Sequence, residues 1–255
     1  MKKRFLGLIL SIIYLFSALP VMATEAGAWY IKRNGNERPG FPADCDMVSS
    51  YDGYYIDDKA AENGQKILYL TFDAGYENGN LEKIMNTLRD EGVPAAFFLL
   101  DRVIVKNTEL VKRMQNEGHL VCNHTKNHRD LTRASAEEIK EDVTALESLC
   151  KEYTGEEMAK YFRFPEGKYS ESALKCIKEL GYKTVFWSFA YDDWDNTRQP
   201  SPALAIKKIL KNTHNGAVIL LHPNSATNAQ ILPELIRAWR DMGYSFGTLD
   251  ELTSK

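Results

Sequence analysis

The chain has 255 residues and a formal net charge of −3. Its first 23 residues hold three basic and no acidic side chains, so without them the charge is −6, and a protein this acidic is a poor nucleic-acid binder. The remaining ~230 residues suffice for one α/β barrel or one doubly wound sheet, and no Pro-, Ser- or Gly-rich linker divides them after Asn63.

Residues 1–23 read as a signal peptide. Lys2, Lys3 and Arg4 precede an apolar run from Phe5 to Ala18, and Pro20-Val-Met-Ala23 offers a small-residue cleavage site. The expected location is therefore the cell envelope. An uncleaved anchor is the alternative, because the run to Ala23 approaches the ~20 residues a membrane-spanning helix needs. Residues 24–62, with Trp29, Tyr30, Pro39 and Pro42, show neither helical nor strand period, which predicts an extended segment wrapped on the domain that follows. Cys45, Cys122, Cys150 and Cys176 form no CxxC or CxxxC pair, so a zinc–thiolate site is not expected. Export permits disulfides between them without requiring any.

From residue 63 to 255 strand-length apolar runs alternate with helical-period segments. Strands are expected at 66–72, 95–100, 119–123, 160–164, 183–189, 217–221 and 244–248. Helices are expected at 79–91, 107–117, 136–153, 171–180, 201–212 and 227–241. Strands joined by helices imply a parallel sheet. The fold class is thus α/β, a distorted or incomplete (β/α) barrel with about seven parallel strands.

Five polar clusters fall at the carboxyl ends of different strands, the end at which such barrels assemble their sites. Asp73 follows the first strand in Thr71-Phe-Asp-Ala-Gly75, a string that by itself is equally a turn. His124 and His128 follow the third, spaced to grip one divalent ion if residues 124–128 are helical. Arg163 is a charge embedded in Tyr161-Phe-Arg-Phe-Pro165-Glu-Gly167, where it needs a buried partner, and Asp73 is available. The loop through Pro165 and Gly167 can turn backbone N–H groups toward a developing oxyanion. Asp193, with Asp192 and Asp195 as alternatives, can hold the imidazole of His222, which closes the apolar Ile219-Leu-Leu and can act as a proton donor.

In order, these clusters resemble the five motifs of the polysaccharide deacetylases of the NodB-homology type, carbohydrate esterase family 4. The likeness spans about residues 66 to 250. It is closest to the muramic-acid branch, whose members prepare the muramic δ-lactam of spore cortex peptidoglycan. Gly75-Tyr-Glu-Asn-Gly79, residues 186–195 and the aromatic and basic leader Trp29-Tyr-Ile-Lys-Arg33 carry that closer likeness. The resemblance implies hydrolysis of an N-acetyl amide on peptidoglycan glycan strands by a monomer. Asp73 would be the general base, tuned by Arg163; His222, oriented by Asp193, would protonate the leaving amine. The Glu166 backbone N–H would stabilise the oxyanion, Trp194 would line the sugar groove, and His124 with His128 would hold a divalent metal, Zn²⁺ by analogy. Ala74 departs from the family, which usually has a metal-binding Asp there, and alanine offers no ligand atom; weak metal binding is the expected result. A glucosamine or chitin-type deacetylase and a non-catalytic glycan binder are the competing readings.

Overall fold

The computed structural model describes residues 26–254, so the expected signal peptide lies outside the described residues. In chain order the elements are β1 Gly27–Ala28, α1 Cys45–Ser50, β2 Gly53–Tyr54, α2 Asp58–Glu62, β3 Ile67–Ala74, α3 Asn80–Glu91, β4 Ala96–Leu99, α4 Asp101–Lys106, α5 Thr108–Asn116 and β5 Leu120–Asn123. There follow α6 Ala136–Thr154, β6 Tyr161–Phe162, a 3₁₀ turn Pro165–Gly167, β7 Lys168–Tyr169, α7 Glu171–Glu179, β8 Lys183–Val185, α8 Pro202–Lys211, β9 Ala217–Leu221, α9 Ala226–Asp241, β10 Ser245–Phe246 and α10 Leu249–Thr253.

The seven expected strands are β3, β4, β5, β6, β8, β9 and β10, and all their pairings are parallel. β3 is the hub. It pairs along one edge with β9 and along the other with β4, with β10 wedged against its first two residues. All eight of its residues are buried, as expected for a parallel strand covered on both faces. Leu68, Leu70, Phe72 and Ala74 face the helices, where they join Leu81, Ile84, Leu88, Leu232 and Trp239. Ile67 and Tyr69 point the other way, toward Phe98, Cys122 and Val218 inside the curled sheet. That period-two alternation aims Asp73 inward.

The sheet curls into a distorted barrel whose last seam, between β8 and β9, is closed in two places. Near the carboxyl ends Phe189 bridges Ile219, with Leu220 N–H donating to the Phe189 carbonyl. At the other end the gap is filled by the N-terminal segment: β2 pairs in parallel with β8, and Ile56 bridges Ala217. The segment 24–62, expected to be extended, therefore carries two short helices, and its residues 53–56 enter the sheet. Isolated from the chain it shows no periodicity, because its short elements take their order from the seam they fill. Upstream of these, Trp29 packs between Phe186 and Tyr55, and its indole N–H donates to the Trp187 carbonyl at 2.8 Å. The expected strand 183–189 is shorter than its apolar run, ending at Val185 before the chain swings across to β9. α4 was not expected; it precedes α5, with Asn107 as the break. The four cysteines are free thiols, three of them buried.

Candidate active site

A cavity of about 630 Å³ opens at the carboxyl ends of the strands, and Asp73, His124, His128, Glu166, Trp194 and His222 all line it. Arg163 and Asp193 stand directly behind the wall, both fully buried. The fold thus brings together all eight residues singled out from the sequence.

Asp73 is 8% exposed and reaches Arg163 Nη1 at 2.8 Å. The guanidinium is fixed by the carbonyls of Val185 and Phe186, at 2.8 and 3.2 Å, and lies over the Phe98 ring at 4.1 Å. Burial works against the Asp73 anion, but the Arg163 guanidinium first, with the neighbouring His124 and His222 imidazoles behind it, outweighs that cost and holds the carboxyl below its usual range.

His124 and His128 are not on a helix. Residues 124–128 form a loop in which Thr125 and His128 take left-handed conformations, with φ of 68° and 57°. The loop, rather than a helical turn, sets the two imidazoles edge to face at 5.1 Å between centroids. The helical expectation failed because left-handed backbone at two non-glycine residues leaves no trace in residue type. Thr125 is held by its neighbours: its N–H donates to the Asn123 side chain and its hydroxyl caps Arg129 N–H. Glu166, also on the cavity wall, is left-handed as well, with φ 55°. Three of the four such non-glycine residues among the described residues thus sit in the loops and turns around this site, where such strain is retained when surrounding contacts enforce it.

His222 Nδ1 donates to Asp193 Oδ1 at 2.7 Å, while its backbone N–H donates to Oδ2 at 2.8 Å. This turns Nε2 toward the cavity. Burial lowers the affinity of the imidazole for a proton, but the charge and hydrogen bond of Asp193 more than restore it, so its pKa lies above the ordinary value. Of the three acids considered as its partner, Asp193 is the one that makes the contact. Trp194, 62% exposed, stands at the mouth as an uncovered aromatic face.

The residues suit a divalent ion only in part. His124 Nδ1 donates to the Arg163 carbonyl at 2.8 Å, which leaves Nε2 with its lone pair on the cavity side, 3.6 Å from Asp73 Oδ2. Burial brings its pKa down to about 4, so the ring is neutral and able to ligate. His128 supplies a second imidazole. Position 74 supplies none: Ala74 is fully buried, its methyl within the helix-facing core. Among the described residues no three His, Cys, Asp or Glu side chains are arranged around one point. The set fits a two-imidazole site completed by solvent or substrate.

Sequence reading missed Tyr76, Asn224 and Asn228. Tyr76 lines the cavity and its hydroxyl receives the side-chain amides of Asn224, at 3.1 Å, and Asn196. The Asn224 carbonyl in turn accepts from Asn78 and Asn80, tying the loop after β3 to the loop after β9. Asn228 had a signal. It occupies the same stripe as Ile231, Leu232 and Leu235, an amide on an otherwise apolar helix face.

The family model for polysaccharide deacetylases matches residues 60–185. The peptidoglycan-N-acetylmuramic acid deacetylase PdaA of Bacillus subtilis is 35% identical over 226 residues, covering 88% of this chain and 84% of that protein. The chain belongs to the polysaccharide deacetylase family. Its fold agrees: the structure of Bacillus subtilis PdaA, a family 4 carbohydrate esterase, superposes with a TM-score of 0.84 over 89% of this chain and 97% of that one. A second deacetylase relative, the peptidoglycan-N-acetylglucosamine deacetylase of Bacillus cereus, is 33% identical and covers 74% of this chain and 89% of that protein. As a member of this family the chain is a hydrolase of the carbohydrate-esterase type.

Proposed function

We propose that this protein removes the acetyl group from N-acetylmuramic acid residues of peptidoglycan whose stem peptide is already absent. The free amine and free lactyl carboxylate left behind can then condense to the muramic δ-lactam of spore cortex. The observation that carries this reading is the pairing of a buried carboxylate, Asp73, with an Asp193-bound imidazole, His222, across one cavity. The likeness to the muramic-acid enzyme covers 88% of this chain, whereas the likeness to the glucosamine enzyme covers 74% of it. Export to the envelope belongs to the same proposal, since the substrate lies outside the cytoplasmic membrane.

In the proposed mechanism the Asp73 carboxylate accepts a proton from the water that attacks the acetamide carbonyl carbon. Arg163 keeps that carboxylate ionised and prevents it from turning away. The loop at Glu166 borders the position where the carbonyl oxygen becomes an oxyanion. As the C–N bond breaks, His222 Nε2 gives its proton to the sugar nitrogen, releasing acetate and the amine. A divalent ion held by His124 and His128, Zn²⁺ in our reading, would supply Lewis-acid polarisation of the acetamide and its water. Trp194 offers a stacking face to a neighbouring sugar.

Acetate release from peptide-free glycan strands, followed by mass spectrometry, tests the proposal. Loss of one acetyl per muramic residue is expected, with activity reduced by chelator and restored by divalent metal. Release from chitooligosaccharides but not from muramic strands would replace the reading with the glucosamine-type one.

A further inference from the structure

Asn228 is 1% exposed and does not line the cavity, yet it touches both members of the proton-donating pair. Its Nδ2 donates to Asp193 Oδ2 at 2.6 Å and to the His222 carbonyl at 3.0 Å. Its Oδ1 accepts from the Tyr191 hydroxyl, which burial first and the nearby Asp193 charge second keep protonated. A donor on one side and two acceptors on the other permit only one orientation of the amide. The backbone is held too, because Asn228 N–H donates to Ser225 Oγ at 3.1 Å at the N-cap of α9. Asp193 therefore receives the Asn228 amide and the His222 backbone N–H on Oδ2, leaving Oδ1 for the imidazole.

We propose that Asn228 is a positioning residue for catalysis: it locks the Asp193 carboxylate so that His222 presents Nε2 to the leaving nitrogen. The proposal rests on reading His222 as the proton donor. Among the described residues His222 is the one titratable base hydrogen-bonded to the Asp193 carboxylate, so the orientation of that carboxylate depends on neutral donors. Without the amide, Oδ2 keeps one donor and the carboxylate can rotate about its last torsion, carrying the imidazole with it. A displacement of about 1 Å at a reacting group costs on the order of 10²-fold in rate.

Asn228→Leu should lower kcat for acetate release from the N-acetyl glycan by about 10²-fold, with KM little changed. It should leave hydrolysis of 4-nitrophenyl acetate within about threefold, because nitrophenolate departs without a proton. A structural defect would depress both substrates alike, and that outcome, or an undiminished amide rate, would overturn the proposal. In a His222→Ala background the Leu substitution should add nothing, since both act through one step; independent, multiplying losses would also overturn it. If His222→Ala itself retains amide hydrolysis, the reading of His222 as the acid is what fails, and the two failures are told apart. Should Asn228→Leu not fold, Tyr191→Phe decides: releasing the amide should cost about three- to tenfold on the glycan and not on the ester. Equal rates on both substrates would reject the role.

Discussion

Asp73 is a buried anion held by one buried cation. Replacing it with Asn keeps an oxygen for the Arg163 hydrogen bond, so the fold should survive while the base is lost. Asp73→Asn is expected to lower acetate release by roughly 10²–10⁴-fold with glycan binding retained, measured by steady-state kinetics and calorimetric titration. His222 gives a signed pH prediction. Its folded pKa is raised above the ordinary 6.5 or so by Asp193, so the cationic donor is present below that value and lost as pH rises through it. kcat/KM should therefore decline on the alkaline side. In Asp193→Asn the supporting charge is gone, so the alkaline limb should move to lower pH; a limb that stays put would separate it from His222. The charged residues of this site were legible in the sequence because charges at the ends of apolar strands are conspicuous. The polar supports were less so: Asn228 and Asn224 are short amides whose role depends on what lies across the gap.

At the scale of elements, the seven strands were legible because each is an apolar run and all but the last are followed by a helical period. β3, buried along its whole length, is the clearest case. The N-terminal segment was not legible, since two-residue β2 pairs with β8, distant in sequence, and α1 and α2, of six and five residues, are too short to show a period. The loop 124–128 defeated the helix rule for the opposite reason: its spacing suits a helix while its left-handed residues preclude one. The leader should still matter for stability. Trp29 is 5% exposed among Phe41, Tyr55 and Phe186, and truncating a buried Trp costs about 3–5 kcal/mol. Trp29→Ala is expected to lower Tm by roughly 6–20 °C at about 2–4 °C per kcal/mol, read by differential scanning calorimetry. A change under about 2 °C would show that the leader is only loosely applied.

At the scale of the whole molecule, two buried histidines outside the site make the fold acid-sensitive. His119 Nδ1 accepts the Ala95 backbone N–H at 3.2 Å, and protonation would set a second N–H against that donor. Burial lowers the pKa of His119 and of His214, so between the folded values and about 6.5 the unfolded chain binds protons that the folded chain refuses. Their contribution is intact above about pH 6.5 and is lost as pH falls toward the folded values, at about 1.4 kcal/mol per pH unit for each group. Urea midpoints at stepped pH should fall accordingly, and His119→Asn, whose side-chain oxygen can still accept from Ala95, should flatten the slope. Slopes that coincide would assign the acid sensitivity elsewhere. The seam between β8 and β9 carries a consequence in time. Tyr54 must find Val185 and Ile56 must find Ala217, so the earliest strand of the sheet stays unpaired until most of the polypeptide has been made. The barrel can be closed only near the end of synthesis, and contacts that distant in sequence close slowly. Until then the free edge of β8 is open to any strand that arrives first, and a chain shortened to begin at residue 63 would keep that edge permanently, as a template for association with its own copies.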